Sequence, residues 1–344
     1  MRIHFTSADL ARTHLAHGPD VMWEIVNSLQ ALQAGYGKSA LRDWRRSTAH
    51  ALYRIGLAGR VRDRLFTIAP HATYFPDLLT PVEGGLGLEE ALEAVLSTPR
   101  TRLRAEMAPL EGAPGAASWL DDLSAGRPRA LAELGETLTA YYRGGVEPHW
   151  DLVRASVDGD LVERRQSHTH GGVHALLDGL RPMASWRFPV LEIAGHPSDR
   201  DVHLKGRGLL LIPSYFCRLH PVTIFNGALP QVLVFPVRRP DARVPPGNAA
   251  ATGRLLGDTR AAVLRAVGAG STTSDLARRL GVTPATISHH TGVLRDAGLI
   301  RSRRSATTVT HSLTSLGWSL LHRGGHDRGA TWSKPASGPR RQGR

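Results

Sequence analysis

The residues best suited to recognition chemistry crowd one stretch near the end of the chain. Thr283, Ala285, Thr286, Ser288, His289, His290 and Arg295 fall on a segment that reads as one short helix, and Arg301, Arg303 and Arg304 follow it closely. Small residues let a helix approach another surface, hydroxyls and imidazoles hydrogen-bond base edges or phosphates, and guanidiniums grip phosphate through a planar fork. That chemistry suits a duplex nucleic acid, its bases faced by the helix and its backbone held by the arginines.

Other chemistries find weaker support. The chain has no G-x-S-x-G elbow, P-loop, H-E-x-x-H or G-x-G-x-x-G, so no catalytic residue is assigned and no enzyme is expected. Asp121-Asp122 and Glu89-Glu90 read as helix starts, where carboxylates favour the dipole. His170 and His174 would share a helix face near His168, but Gly171-Gly172 lies between them and zinc takes three or four ligands. With 17 histidines, chance clustering accounts for that spacing, and neither a metal nor a cofactor is expected. Cys217, the only cysteine, excludes an intramolecular disulfide and reads as a buried structural thiol between aromatics. Trp119, Tyr141, Tyr142, Trp150, Trp186, Tyr215 and Phe216 could line a ligand pocket, with core packing the default reading.

The recognition residues need elements to carry them. A first helix is predicted over Leu256–Val267, stopping at Gly268. Thr272 or Thr273 caps a second, with Leu276, Ala277 and Leu280 inward and Gly281 in the left-handed conformation that ends it. Thr283 then caps a third helix over Pro284–Ala297, Pro284 sitting in the first turn where its missing N–H is not needed, and Gly298 closes it. Ile287, Thr291 and Leu294 form the buried stripe; Ala285, Thr286, Ser288, His289 and Gly292 face the other way. His290, beside the stripe, has two readings, a bond to its own domain's backbone or a phosphate contact. Leu299-Ile300 opens a strand, Arg301–Ala306 forms a basic turn, Thr307–Leu313 returns as a second strand, and Ser315–Leu321 is a last helix. Two short helices about a glycine turn, followed by a hairpin, make a winged helix-turn-helix.

The run DLARRLGVTPATISHHTGVLRDAGLI resembles the winged helix-turn-helix of ArsR/SmtB-type regulators, and the likeness extends over Leu255–Leu321. It implies a transcription regulator, more often a repressor, that reads double-stranded DNA as a homodimer, with Thr286, Ser288, His289 and His290 on the part of the helix applied to DNA. Two positions depart from the pattern: Thr291 replaces an apolar residue, and Gly292 weakens a helix interior by up to roughly 1 kcal/mol. The segments ALLDGLRPMASWRFPVLEI and GRGLLLIPSYF resemble the N-terminal domain of longer ArsR-like regulators. That likeness implies no site.

Charge and texture place these elements within the 344 residues. The chain carries a net charge of +13, yet Gly253–Arg344 alone holds 15 Lys/Arg against 4 Asp/Glu, so nearly all the excess lies in the last quarter. A basic terminal module suits a polyanionic partner. Upstream, helices are predicted from Thr6 or Ser7 to Ala16, from Val21 through Leu32, and near Ala40–Ile55, Leu88–Leu96, Arg129–Tyr142 and His149–Leu180, the last kinking at Gly159 or Gly171-Gly172. Strand texture covers RIHF and then 186–237, with Asn226-Gly227 as a hairpin turn. The expected fold class is mostly α with small antiparallel β elements (α+β). Residues 1–245 form a sensor or dimerisation domain and 253–322 the winged helix; Arg239–Thr252 is a linker and 323–344 a disordered basic tail. No apolar run is long enough for a bilayer and no secretory signal opens the chain, so a cytoplasmic location is expected. A small-molecule effector bound by residues 1–245, an enzyme fused to a DNA-binding module and a nonspecific nucleoid-type binder stay open as alternatives.

Overall fold

A computed structural model describes residues 1–322 apart from 35–40, 72–73, 111–116, 194–195, 197–198, 219, 239–251, 268–270 and 306–307. Nearly all of the expected linker, and the whole of the expected tail, lie outside the described residues. The chain divides into two compact units, Met1–Arg238 with Ser312–Ser315, and Arg239–His311 with Leu316–Arg344. Among the described residues, no helix is long and apolar enough to cross a membrane.

The first unit is built around the helix Val21–Gln33, which is buried on nearly every side, Met22, Trp23, Ile25, Val26 and Leu29 among its buried apolar residues. Asp20 starts it, its Oδ1 accepting from the N–H of Met22 and Trp23 at 3.0 Å each. Helices Arg42–Arg54, Leu88–Leu96, Arg100–Met107, Ala117–Ser124 and Pro128–Tyr141 complete the shell. Trp150–Asp178 is one long element broken at Gly171 and Gly172, where ψ and φ leave helical values and Gly172 takes φ +63. The break separates His170 from His174. His170 Nδ1 meets the Gln166 carbonyl, and His174 Nδ1 accepts from Trp186 Nε1.

Among the described residues of this unit there are seven strands: β1 (Arg2–His4), β2 (His14–Leu15), β3 (Ala184–Arg187), β4 (Val190–Ile193), β5 (Asp201–His203), β6 (Leu210–Ser214) and β7 (Val232–Pro236). They form a mixed four-stranded sheet in the order β3-β4-β1-β5 and a three-stranded sheet in the order β2-β6-β7. Class α+β holds, and β3, β4 and β1 pair antiparallel as expected, but β2, β6 and β7 are all parallel, as are β1 and β5. The reason lies in the burial. Ile212, Val232 and Val234 face one core while Leu211, Leu233 and Phe235 face a second, so both sides of β6 and β7 are apolar, as parallel strands require.

The other departures are local. Thr6 does cap a helix, but it ends at Ala11, and His14–Leu15 then pairs with β6 instead of continuing the helix. Asn226-Gly227 is not a hairpin turn between strands. The Asp77 carboxylate takes the N–H of Phe225 and Asn226, and Asn226 Oδ1 accepts from the N–H of Ala228, so these backbone groups have no strand partner.

Two buried carboxylates tie helices to the sheet. Glu24 accepts from Tyr215 N at 2.7 Å, Phe216 N at 3.0 Å and Ser214 Oγ at 3.1 Å, holding the loop after β6 onto the central helix. Burial pushes its carboxyl up to about 7 against the pull of those donors. Asp160 receives Arg164 Nε at 2.5 Å and Arg238 N at 3.0 Å, while the Arg164 guanidinium lies over Phe235 at 4.3 Å. Removing one partner of a buried pair strands the other charge. Asp160→Asn should lower the stability of the first unit by about 3–5 kcal/mol, read as a reduced urea midpoint. An unchanged midpoint would show that the pair does not anchor β7.

Candidate nucleic-acid interface

In the second unit three helices follow in close succession, Asp258–Val267, Thr273–Leu280 and Pro284–Asp296, each packed on the other two. Their ends are set by the local chemistry expected of them. Thr272 caps the second helix by accepting from Asp275 N, and Gly281 closes it at φ 67, ψ 29, a conformation that costs glycine little. Thr283 caps the third by accepting from Thr286 N at 3.2 Å, with Pro284 in the first turn. A hydroxyl pair, Thr283 Oγ1 to Thr286 Oγ1 at 2.8 Å, tightens this start. Both threonines therefore position the helix first, and contact with a partner would be secondary.

Ile287, Thr291 and Leu294 are buried, as the stripe requires. The hydroxyl of Thr291 would be costly there if unpaired, but it donates to the Ile287 carbonyl at 2.8 Å, one turn back. Ala285, Ser288, His289 and Arg295 are exposed, and Ala285, Ser288 and His289 line the opposite face with half-buried Gly292. Arg295 lies beside Asp296 at 3.4 Å. His290 sits on the flank, half-buried, and its Nδ1 has no hydrogen-bond partner among the described residues. Among the described residues this nitrogen makes no bond to the backbone of its own domain.

The wing differs from expectation in one respect. Strand β9 extends over Ile300–Ser305 and pairs with β10 (Thr308–Leu313), so Arg301, Arg303 and Arg304 lie on a strand and not in a turn. β-Branched and hydrogen-bonding neighbours on β10 extend the ladder through the arginines, which tolerate a half-exposed pleated surface. Arg301 and Arg304 are exposed; for Arg303 only the backbone is described. The third strand, β8 (Ser271–Thr272), pairs with β10 at Thr310 and His311. No acidic residue occurs between Asp296 and Asp327, so the cationic strand has no neighbour in sequence to neutralise it.

His311 was not singled out by the sequence reading, although its place two residues before Leu313 in an alternating strand marks an inward position. It is buried, with Nε2 3.0 Å from Thr273 Oγ1 and Nδ1 2.9 Å from Ser302 Oγ. One imidazole thus joins the start of the second helix to both wing strands. Burial, then the nearby Arg295, holds it below the usual histidine range. His290 is lowered by burial, His289 and Arg260.

Residues 255–303 match a family described as a helix-turn-helix domain, a span that covers the three helices and most of the first wing strand. No curated protein and no solved structure matches the chain. The C-terminal part of the chain carries a helix-turn-helix domain.

A histidine held neutral in the fold takes up its proton more readily when the chain unfolds, so its contribution is complete above the ordinary pKa of about 6.5 and is lost as pH falls below it. The calorimetric transition of the winged helix should accordingly fall in temperature below that pH, and His311→Asn should flatten the dependence. In the same experiment Gly292→Ala should raise stability by up to about 1 kcal/mol, since the added methyl would meet nothing closer than Arg295 Nη2 at 4.0 Å. A Gly292→Ala variant less stable than the parent chain would refute the helical account of that position.

Proposed function

We propose that the chain is a transcription regulator of the ArsR type, a repressor that binds a palindromic promoter site as a homodimer. The observation that carries this reading is the third helix. Its caps and buried stripe turn Ala285, Ser288, His289 and Gly292 outward on one face, followed in the chain by a strand bearing exposed Arg301 and Arg304. A helix of small and hydrogen-bonding residues suits the major groove, and the arginines suit phosphate or a narrow minor groove. Two such modules on half-sites about one helical turn apart would mirror the two-fold symmetry of a palindrome. The first unit serves as the sensor and dimerisation part, and the effector it takes would set DNA affinity.

Mobility shift against fragments of the source genome tests this. One fragment should be retarded well ahead of random DNA at physiological salt. Arg301→Ala with Arg304→Ala should weaken binding on the order of tenfold and lower the salt slope by about 0.9 for each phosphate no longer neutralised. Equal affinity for every sequence would leave a nonspecific binder, and affinity untouched by the double substitution would remove the wing from the interface.

A further inference from the structure

The first unit holds a cavity of about 510 Å³ whose walls are formed by the central helix, the loop that leaves the carboxyl end of β6, and the segment 221–225. That volume suits a small organic molecule. The carboxyl ends of parallel strands are where α/β sheets commonly take ligands, because loops there can vary without disturbing the sheet. Here β6 is the central strand of its sheet, and Phe216, Cys217 and Arg218, one residue beyond its end, line the wall.

The chemistry of the walls is lopsided. Arg45, Arg200 and Arg218 all contribute, while the only carboxylate among the described lining residues is Asp77. Asp77 accepts the N–H of Phe225 and Asn226 and its charge also reaches Arg200, while Glu24, whose charge reaches Arg218, accepts from Tyr215 and Phe216. The guanidiniums are also held in place. Arg218 lies over the Tyr215 ring at 4.8 Å. Arg200 lies over Phe225 at 5.2 Å and donates to the Ile224 carbonyl at 2.7 Å. Its Nε is buried with no hydrogen-bond partner among the described residues, and the same holds for the hydroxyl of Thr223, a residue only 8% exposed. Buried donors left unmatched are uncommon and mark a place for a missing acceptor. Around these donors the wall is aromatic and apolar, with Tyr74 packed edge-on against Phe225 at 5.2 Å.

We propose that this cavity binds a small organic anion, a carboxylate on an aromatic or similarly flat apolar body, with the anionic group among Arg200, Arg218 and Thr223 and the body against Tyr74, Phe216 and Phe225. Binding is non-covalent: the Cys217 thiol in the wall donates to the His220 carbonyl, and burial pushes it up, away from the thiolate form. The proposal supplies a ligand class for the sensor role given above. It rests on that role for any effect at DNA, and not for binding itself.

Isothermal titration of the full chain, without DNA, with three probes of one shape tests it: 2-naphthoate, its neutral amide, and 2-naphthylmethylammonium. The expected result is one naphthoate per chain, at least tenfold tighter than the amide, with the ammonium weakest. Arg218→Gln should remove the preference for naphthoate over the amide while leaving the amide unchanged. Ala31→Leu, which fills the cavity from the central helix, should weaken naphthoate and amide together, and it serves if the arginine variant fails to fold. No saturable naphthoate binding at millimolar concentration, equal binding of the three probes, or binding indifferent to both substitutions would overturn the proposal. Because DNA is absent, none of these results bears on the winged helix, and failure of DNA binding would not bear on the cavity.

Discussion

Burial of Ile287, Thr291 and Leu294 against the two preceding helices is the constraint on which the rest of the recognition surface depends. A helix has one rotational setting in which this stripe is inside, and that setting puts Ala285, Ser288 and His289 outside. Thr291 shows how strict the requirement is. A hydroxyl at the centre of the stripe is accommodated because the Ile287 carbonyl accepts it. Thr283 and Gly281 fix where the helix begins and the angle at which it leaves its predecessor. His311 then couples the second helix to the wing through Thr273 and Ser302, so the arginine-bearing strand is set by the same small core.

The first unit follows a different logic. Its parallel strands face two apolar cores at once, which leaves their ends as the places where polar groups can gather. Glu24 organises one such end by taking the N–H groups of Tyr215 and Phe216, and the loop it fixes forms part of the cavity wall. A carboxylate buried in an apolar helix is held there by the donors that it in turn positions.

The winged helix was legible in the sequence because its determinants are local. Thr272, Gly281, Thr283-Pro284 and Gly298 punctuate the chain within a few residues of what they control, and the spacing of the buried stripe is that of a single helix. The wing was read with its arginines in the turn because nothing in Arg301–Ala306 marks where a strand gives way. In the first unit the helix from Val21 was legible from its periodicity, and helices near Leu88–Leu96 and Arg129–Tyr142 were also expected, but the sheet was not legible. β2 pairs with β6 across most of the chain, and a run such as Val232–Pro236, apolar on both faces, does not reveal whether its partners are parallel. The cavity also depends on long-range proximity, which brings Arg45, Arg200 and Arg218 into one lining. Of the aromatics weighed as pocket residues, Phe216 lines it, while Trp119 and Tyr141 are core.

We propose that the third helix and the arginine-bearing strand are the surface presented to duplex DNA. Hydrogen–deuterium exchange of the full chain, with and without a fragment that it retards, addresses this claim most directly. Added protection should be concentrated in 283–304, strongest at the start of the third helix and along β9. Protection absent there, with changes confined to Met1–Arg238, would contradict it.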